Sequence, residues 1–165
     1  MALHLIMLPP DYHIHTHFCD HGFGEPEEYA ARAVNQRLDE IGFSEHCPMF
    51  ENDFDHWHMR FDQLGEYVQR IQKAQQDYPN LSIKLSLEVD YIPGCEDWVR
   101  NLAKQHAWDY FIGSVHYVSD SWALDNPEMM HLLYFAYSNK KNASKTQHIS
   151  YCIRINCRSI GYISL

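Results

Sequence analysis

Several histidines of this chain lie at positions where they could hold a metal ion together. Seven of the twelve histidines fall between positions 13 and 58. His13 and His15 are two residues apart, and in a β-strand this spacing places both imidazoles on one face, close enough to bind one ion. The pair alone is a weak signal, because any surface strand rich in histidine shows the same spacing. Further ligands are needed before a metal site is inferred.

Other candidate ligands follow later strands of the chain. His21, His46 and His116 lie at predicted strand ends or in the loops after them. Imidazole and carboxylate together are the ligand mixture that suits Zn, Mn or Fe. Glu88 lies within an apolar strand segment, where an unpaired carboxylate is costly to bury. A solvent-facing strand position is the alternative for Glu88, but a neighbouring cation explains its placement better.

The elements that must position these residues alternate between strand and helix. The patterns predict strands at 11–18, 41–44, 83–90 and 110–115, and helices at 26–42, 61–78 and 98–103. The first strand would point His13, His15 and His17 to one face, and the first helix would bury Val34 in its apolar stripe. This alternation is typical of βα units around a parallel sheet or barrel, whose catalytic groups collect at the C-terminal strand ends.

The length and charge constrain the domain organisation. A complete barrel of this kind needs about 250 residues, so 165 residues supply only part of one. Residues 1–137 contain all 22 acidic residues and carry a charge of −14, whereas residues 138–165 contain five basic residues and no acidic one. We expect an N-terminal extension at 1–10, a barrel segment at 11–137 and a basic tail at 138–165. A frameshift or a truncated gene would explain why the tail differs from the rest of the chain. A genuinely divergent tail is the alternative.

Composition excludes several classes of protein. The net charge of −9 argues against a general nucleic-acid binder, because such affinity needs clustered Lys and Arg. No segment approaches the roughly 18 apolar residues of a membrane span. Five cysteines at irregular spacings, without a secretory signal, favour a reducing cytoplasm. Cys19 is interpreted as a packing residue rather than a metal thiolate, and the loop that holds His56 and His58 is predicted to be solvated, with a role facing substrate as the alternative.

Five motifs follow one another along the chain: DYHIHTHFCDH at 11–21, GFSEHCP at 42–48, LEVD at 87–90, DYFIGSVHY at 109–117 and WALDNP at 122–127. In this order they resemble the motifs of the histidinol-phosphatases of the PHP (polymerase and histidinol phosphatase) superfamily. The resemblance covers roughly residues 11–135. The family's later Gly-His-x-Asp and Ser-Asp-x-His motifs do not occur in this sequence, so the resemblance is to the N-terminal half of the family.

The resemblance implies an α/β fold, a PHP-type distorted (β/α)7 barrel that is incomplete here, with about four βα units. It also implies a centre of up to three divalent metal ions (Zn, Mn or Fe) in the family. Fewer ions are expected here, because the missing later motifs would supply ligands, and inactivity of this shortened chain stays open as an alternative. Glu88 and His116 are then the predicted catalytic residues. By the same resemblance, His13 and His15 would bind the first metal, Glu88 would bridge it to the second, His116 would bind the second, and His21 and His46 would bind the third.

The activity that the resemblance implies is hydrolysis of L-histidinol phosphate to L-histidinol and phosphate, a step of histidine biosynthesis. A metal ion can lower the pKa of a bound water from about 15.7 to about 7 and so generate a hydroxide nucleophile. Metal ions also allow an acidic protein to hold a phosphate. Two alternatives stay open, namely another PHP-family phosphoesterase and a non-catalytic, metal-binding remnant. The expected partner is a small phosphate substrate, without nucleic acid or membrane, and the sequence indicates no oligomeric state.

Overall fold

The fold is taken from a computed structural model, which describes residues 8–19, 21–51, 56–119 and 122–123. Most of the predicted N-terminal extension, residues 124–127 of the last motif and the whole predicted tail at 138–165 lie outside the described residues.

The described chain alternates strands and helices. Strands β1 to β4 form one sheet in chain order, and the β1–β2 and β2–β3 pairs are parallel. This confirms the predicted α/β fold built from βα units. The elements are β1 (Asp11–Ile14), α1 (Pro26–Asn35), β2 (Glu40–His46), a 3-10 turn (Phe61–Gln63) leading into α2 (Leu64–Asp77), β3 (Ser82–Asp90), α3 (Glu96–Ala103), β4 (Tyr110–Ser114) and an antiparallel pair, β5 (Tyr117–Ser119) and β6 (Trp122–Ala123).

The chain forms two compact units. Among the described residues, the first unit comprises 8–19, 21–51, 56–88 and 107–111, and the second comprises 89–106, 112–119 and 122–123. None of the helices in the described ranges combines the length and the apolar character needed to cross a membrane.

The core of the first unit is built around β2. Helix α1 packs against both α2 and β2, and α2 contributes Leu64 and Ile71 at helical spacing to this core. Strand β2 is buried from Ile41 to His46, as expected of a parallel strand covered on both faces. The last residues of β2 are polar as well as buried, and such groups need partners within the protein.

Gly42 allows a close contact across the first unit. The hydroxyl of Tyr110 donates a hydrogen bond of 2.6 Å to the backbone oxygen of Tyr12. A Cβ at position 42 would lie 2.1 Å from that hydroxyl oxygen. A side chain at position 42 would therefore push the Tyr110 hydroxyl away from the Tyr12 oxygen.

The first helix and the first strand are both shorter than the sequence predicts. Helix α1 ends at Asn35 rather than near Gly42. Arg37 adopts a φ of 62°, and the N–H of Leu38 donates to the Ala33 oxygen at 3.0 Å, which closes the helix. The prediction that Val34 is buried is wrong, since it is 47% exposed. Strand β1 ends at Ile14 rather than at residue 18.

Candidate metal centre

The C-terminal ends of three strands converge on one carboxylate in the first unit. Glu88 is buried near the end of β3, and its Cα partner in the neighbouring strand is His46. The Oε2 atom of Glu88 lies 2.8 Å from His13 Nε2 and 3.2 Å from His15 Nε2. The same oxygen lies 3.7 Å from His46 Nδ1. Parallel strands end at a common sheet edge, and that edge brings these side chains together.

A tight loop brings His21 to the same place. Its ring centroid lies 5.0 Å from that of His15 and 4.9 Å from that of His46. The loop folds back on itself, with the N–H of Gly22 donating to the Cys19 oxygen at 3.1 Å. A Cβ at Gly22 would lie 2.0 Å from the backbone oxygen of Thr16. The position of His21 thus depends on a glycine next to it.

The resulting histidine cluster, made of His13, His15, His21, His46 and Glu88, has a donor set that suits a divalent cation. The ligand atoms of His13, His15 and Glu88 lie within 4.8 Å of one another, and so do those of His15, His21 and His46. Metal–ligand bonds of about 2.0–2.2 Å hold ligand atoms roughly 3–4 Å apart, so small side-chain movements would let these groups share ions. The residues present therefore fit a metal.

The groups of the histidine cluster shift the pKa values of Glu88 and His15. Burial raises the pKa of Glu88, but hydrogen bonds from His13 and His15 and the charge of His46 outweigh it and hold the pKa well below its usual range. Burial alone would lower the pKa of His15, but hydrogen bonds with Cys19, Glu45 and Glu88 raise it to about 11. The negative charge of Glu88 and Glu45 thus favours positive charge within the histidine cluster, and a divalent cation would also supply it.

Glu45 is a buried carboxylate behind the histidine cluster whose role the sequence analysis missed. It is completely buried in β2, and its Oε1 atom accepts hydrogen bonds from the backbone N–H and the hydroxyl of Thr16. Its other oxygen lies 3.7 Å from His15 Nδ1. Since His15 turns Nε2 toward Glu88 and Nδ1 toward both Glu45 and Cys19, the ring lies between two carboxylates. Glu45 directly precedes His46 in the sequence, and this neighbour is the signal that could have pointed to its role.

Two other histidines differ from expectation. His58 is buried, and its ring centroid lies 5.1 Å from that of His46, so the prediction of a solvated loop is wrong for this residue. His17 does not share a strand face with His15, because β1 has already ended. Its Nδ1 atom lies 3.2 Å from the Gly24 oxygen and 3.6 Å from a carboxylate oxygen of Glu25.

Cys19 is buried beside the histidine cluster, and its Sγ atom lies close enough to ligand atoms of His15 and Glu45 for the three to share an ion. Its Sγ atom lies 3.7 Å from His15 Nδ1. Burial raises the pKa of this thiol, while the hydrogen bond with His15 acts in the opposite direction.

His116 lies in the second unit, two residues after the end of β4. Its Nδ1 atom is 2.8 Å from Asp90 Oδ1, and its backbone N–H donates to the same oxygen at 3.0 Å. The side chain of Asp90 is only 1% exposed, compared with 22% for His116. The contact with Asp90, the last residue of β3, was not foreseen from the sequence.

Comparison with known proteins gives the same family as the motifs. The model of the PHP domain family matches residues 11–157, which extends beyond residue 137 into the segment of basic charge. The chain is 41% identical over 121 residues to a Deinococcus radiodurans protein named "Probable histidinol-phosphatase", covering 73% of this chain and 46% of that protein. It is 26% identical over 160 residues to the Lactococcus lactis histidinol-phosphatase, covering 93% and 55%.

A solved structure agrees with these relatives. The crystal structure of the Lactococcus lactis histidinol phosphate phosphatase, in complex with zinc, L-histidinol and phosphate, superposes with a TM-score of 0.59 at 28% identity and covers 67% of this chain and 41% of that one. The chain spans about half the length of the curated relatives it matches. With nine-tenths of its length matched by the family model, the chain belongs to the PHP domain family.

Proposed function

We propose that this chain carries part of the active site of a metal-dependent phosphomonoester hydrolase that converts L-histidinol phosphate and water to L-histidinol and phosphate. The observation that carries the proposal is the convergence of His13, His15 and His46 on the buried carboxylate of Glu88. The relatives named histidinol-phosphatase, and the zinc, L-histidinol and phosphate in the Lactococcus lactis structure, support the choice of substrate.

The proposed metal ligands are the residues of the histidine cluster and, as the family resemblance implies, His116. Glu88 is proposed to bridge two ions and, with His116, to act at the reacting phosphate. Zinc is the proposed ion because imidazole-rich sites favour it and the Lactococcus lactis structure contains it. Mn and Fe are the alternatives, and fewer ions than the family's three are proposed, because the later Gly-His-x-Asp and Ser-Asp-x-His motifs do not occur in this sequence. The proposed ligands are His13, His15, His21, His46, Glu88 and His116.

The chain's own residues would bind and orient these ions and the phosphate. When bound, divalent cations supply positive charge to the phosphoryl oxygens and acidify a water for attack. Glu88 would keep His13 and His15 turned to one place through contacts of 2.8 and 3.2 Å. Glu45 would hold the far side of His15, and this arrangement limits ring rotation before substrate binds.

The cellular setting and the domain limits belong to the same proposal. A reducing, cytoplasmic location is supported by Cys19 and Cys47, which are buried free thiols. The segment at 11–137 is proposed to carry the catalytic groups, with 1–10 as an extension and 138–165 as a divergent tail, an assignment supported by the change in charge at residue 138.

Metal analysis combined with an activity assay tests the proposal. The 165-residue chain should bind zinc and release phosphate from L-histidinol phosphate faster than from a nucleoside monophosphate or an aryl phosphate. Glu88→Gln should abolish turnover and lower zinc affinity by more than about 100-fold, because a ligand matters more than the outer groups whose loss costs about 10–100-fold.

His17→Gln is the matched control. It changes a histidine of the same segment whose ring contacts Gly24 and Glu25 instead of Glu88, and zinc affinity should stay at the wild-type value. Preferred hydrolysis of the nucleotide would favour another phosphoesterase of the family. Zinc binding without turnover of any of the three phosphates, or full activity in Glu88→Gln, would contradict the proposal.

A further inference from the structure

Asp90 forms a compact hydrogen-bonded group with the segment that follows β4. One carboxylate oxygen, Oδ1, lies 2.8 Å from His116 Nδ1 and accepts the backbone N–H of His116 at 3.0 Å. The hydroxyl of Ser114 donates to the same oxygen at 3.3 Å. The backbone N–H of Tyr91 donates to the Ser114 oxygen at 2.8 Å, which ties the two segments together. Asp90 is thus anchored to the residues around His116 as well as to its ring.

The contact between Asp90 and His116 Nδ1 determines which ring nitrogen of His116 carries the proton. An ionised carboxylate only accepts hydrogen bonds, so the nitrogen that faces Asp90 must carry the proton. In the neutral ring the other nitrogen, Nε2, then has the lone pair that a metal requires. Burial strengthens the selection, because the Asp90 side chain is 1% exposed and water does not compete well for its oxygens.

We propose that Asp90 is a positioning residue that fixes His116 in the Nδ1–H tautomer and so presents Nε2 as a metal ligand. This rests on the proposed function for the role of His116 as a ligand, whereas the selection of the tautomer stands on the geometry of Asp90 alone. Carboxylates that bind the second nitrogen of a ligating histidine fix its orientation and raise its basicity. Asp90 therefore acts through His116, without touching substrate.

Nitrogen-15 NMR of the metal-free 165-residue chain tests the tautomer directly. The His116 signals are assigned by their loss in His116→Gln, at a pH where the ring is neutral. The wild-type ring should carry its proton on Nδ1, and Asp90→Ala should move part of the population to Nε2–H. Ser114→Ala is the matched control, because it removes a donor from the same carboxylate and leaves the imidazole contact in place. Its tautomer should be that of the wild type.

Zinc titration with a competing chelator tests the consequence. The relevant ion is the one whose affinity falls in His116→Gln, and Asp90→Ala should weaken that same ion by about 10–100-fold. Asp90→Asn should lose less zinc affinity than Asp90→Ala, since its amide oxygen still accepts the Nδ1 proton. It should bind zinc more weakly than the wild type, because the amide carries no charge. Ser114→Ala should bind zinc as the wild type does, which separates positioning from a purely structural role.

The outcomes separate this inference from the proposed function. A wild-type ring with its proton on Nε2 would overturn the role of Asp90, and this measurement needs no variant other than the one used for assignment. An unchanged tautomer or an unchanged zinc affinity in folded Asp90→Ala would overturn it as well. A chain that binds no zinc would defeat the proposed function, while the NMR spectrum would still decide the tautomer.

Discussion

The two units hold their histidines in different ways. In the first unit, His15 lies among three other imidazoles and two carboxylates, and its Nδ1 atom is 3.7 Å from Glu45. In the second unit, His116 lies 2.8 Å from one carboxylate that also binds its backbone. Orientation in the first unit therefore depends on several contacts from different strands and a loop. In the second unit, one carboxylate, that of Asp90, binds both the ring and the backbone N–H of His116.

This difference predicts how each unit responds to substitution. Changes to the backbone or to packing should matter most in the first unit, because the histidine cluster is assembled from four separate segments: β1, the loop after it, β2 and β3. A single carboxylate should matter most in the second unit. Glu88→Gln tests this expectation in the first unit, and Asp90→Ala tests it in the second.

Gly22→Ala should have the largest effect on stability in the first unit. The new Cβ would lie 2.0 Å from the Thr16 backbone oxygen, so the loop must move, at a cost of about 3 kcal/mol. A thermal melt measures the loss, and zinc titration should show weaker binding because His21 is displaced. Gly65→Ala in α2 is the control, since nothing lies within 4 Å of its new methyl group, and it should raise stability by roughly 0.5–1 kcal/mol. If both variants melted alike, the role assigned to the loop would be wrong.

Glu45→Gln should have an intermediate effect on stability. Its effect on zinc affinity can be compared directly with that of Asp90→Ala, which removes the carboxylate of the second unit. The amide can still accept from Thr16, but its N–H₂ group would face His15 Nδ1 and favour a proton on the other ring nitrogen. We expect a loss of about 1–3 kcal/mol in unfolding free energy and about 10-fold in zinc affinity. Urea titration and chelator competition measure these. A larger loss of zinc affinity than in Asp90→Ala would reverse the comparison between the units.

Arg70→Ala should have the smallest effect. Arg70 Nε donates to Glu25 Oε2 at 3.1 Å and so joins α2 to the start of α1. Both side chains are about a third or more exposed, so solvent and salt screen the pair, and its loss should cost less than about 1 kcal/mol. Melts at low and high salt measure it, and the difference should shrink as salt increases. A loss as large as that of Gly22→Ala would mean that helix packing, rather than the loop, limits the first unit.

Much of the fold and of the site could be predicted from the sequence, for definable reasons. Alternating strand and helix patterns gave the α/β class because hydrophobic periodicity is a local signal. Strand ends pointed to His46 and Glu88 because parallel strands share one edge. The end of α1 could not be predicted, since it depends on the left-handed conformation of Arg37, a residue that rarely adopts it.

The amino-acid sequence by itself determined the kind of chemistry available: imidazoles and a carboxylate at successive strand ends, in an acidic chain with the ordered motifs of one family. Only the tertiary structure decided which nitrogen of each ring faces which carboxylate. Glu45 lies beside a histidine in the sequence, and Asp90 two residues after Glu88, yet their partners are His15 and His116. Those partners follow other strands, β1 and β4, and such contacts are set by packing and register rather than by spacing along the chain.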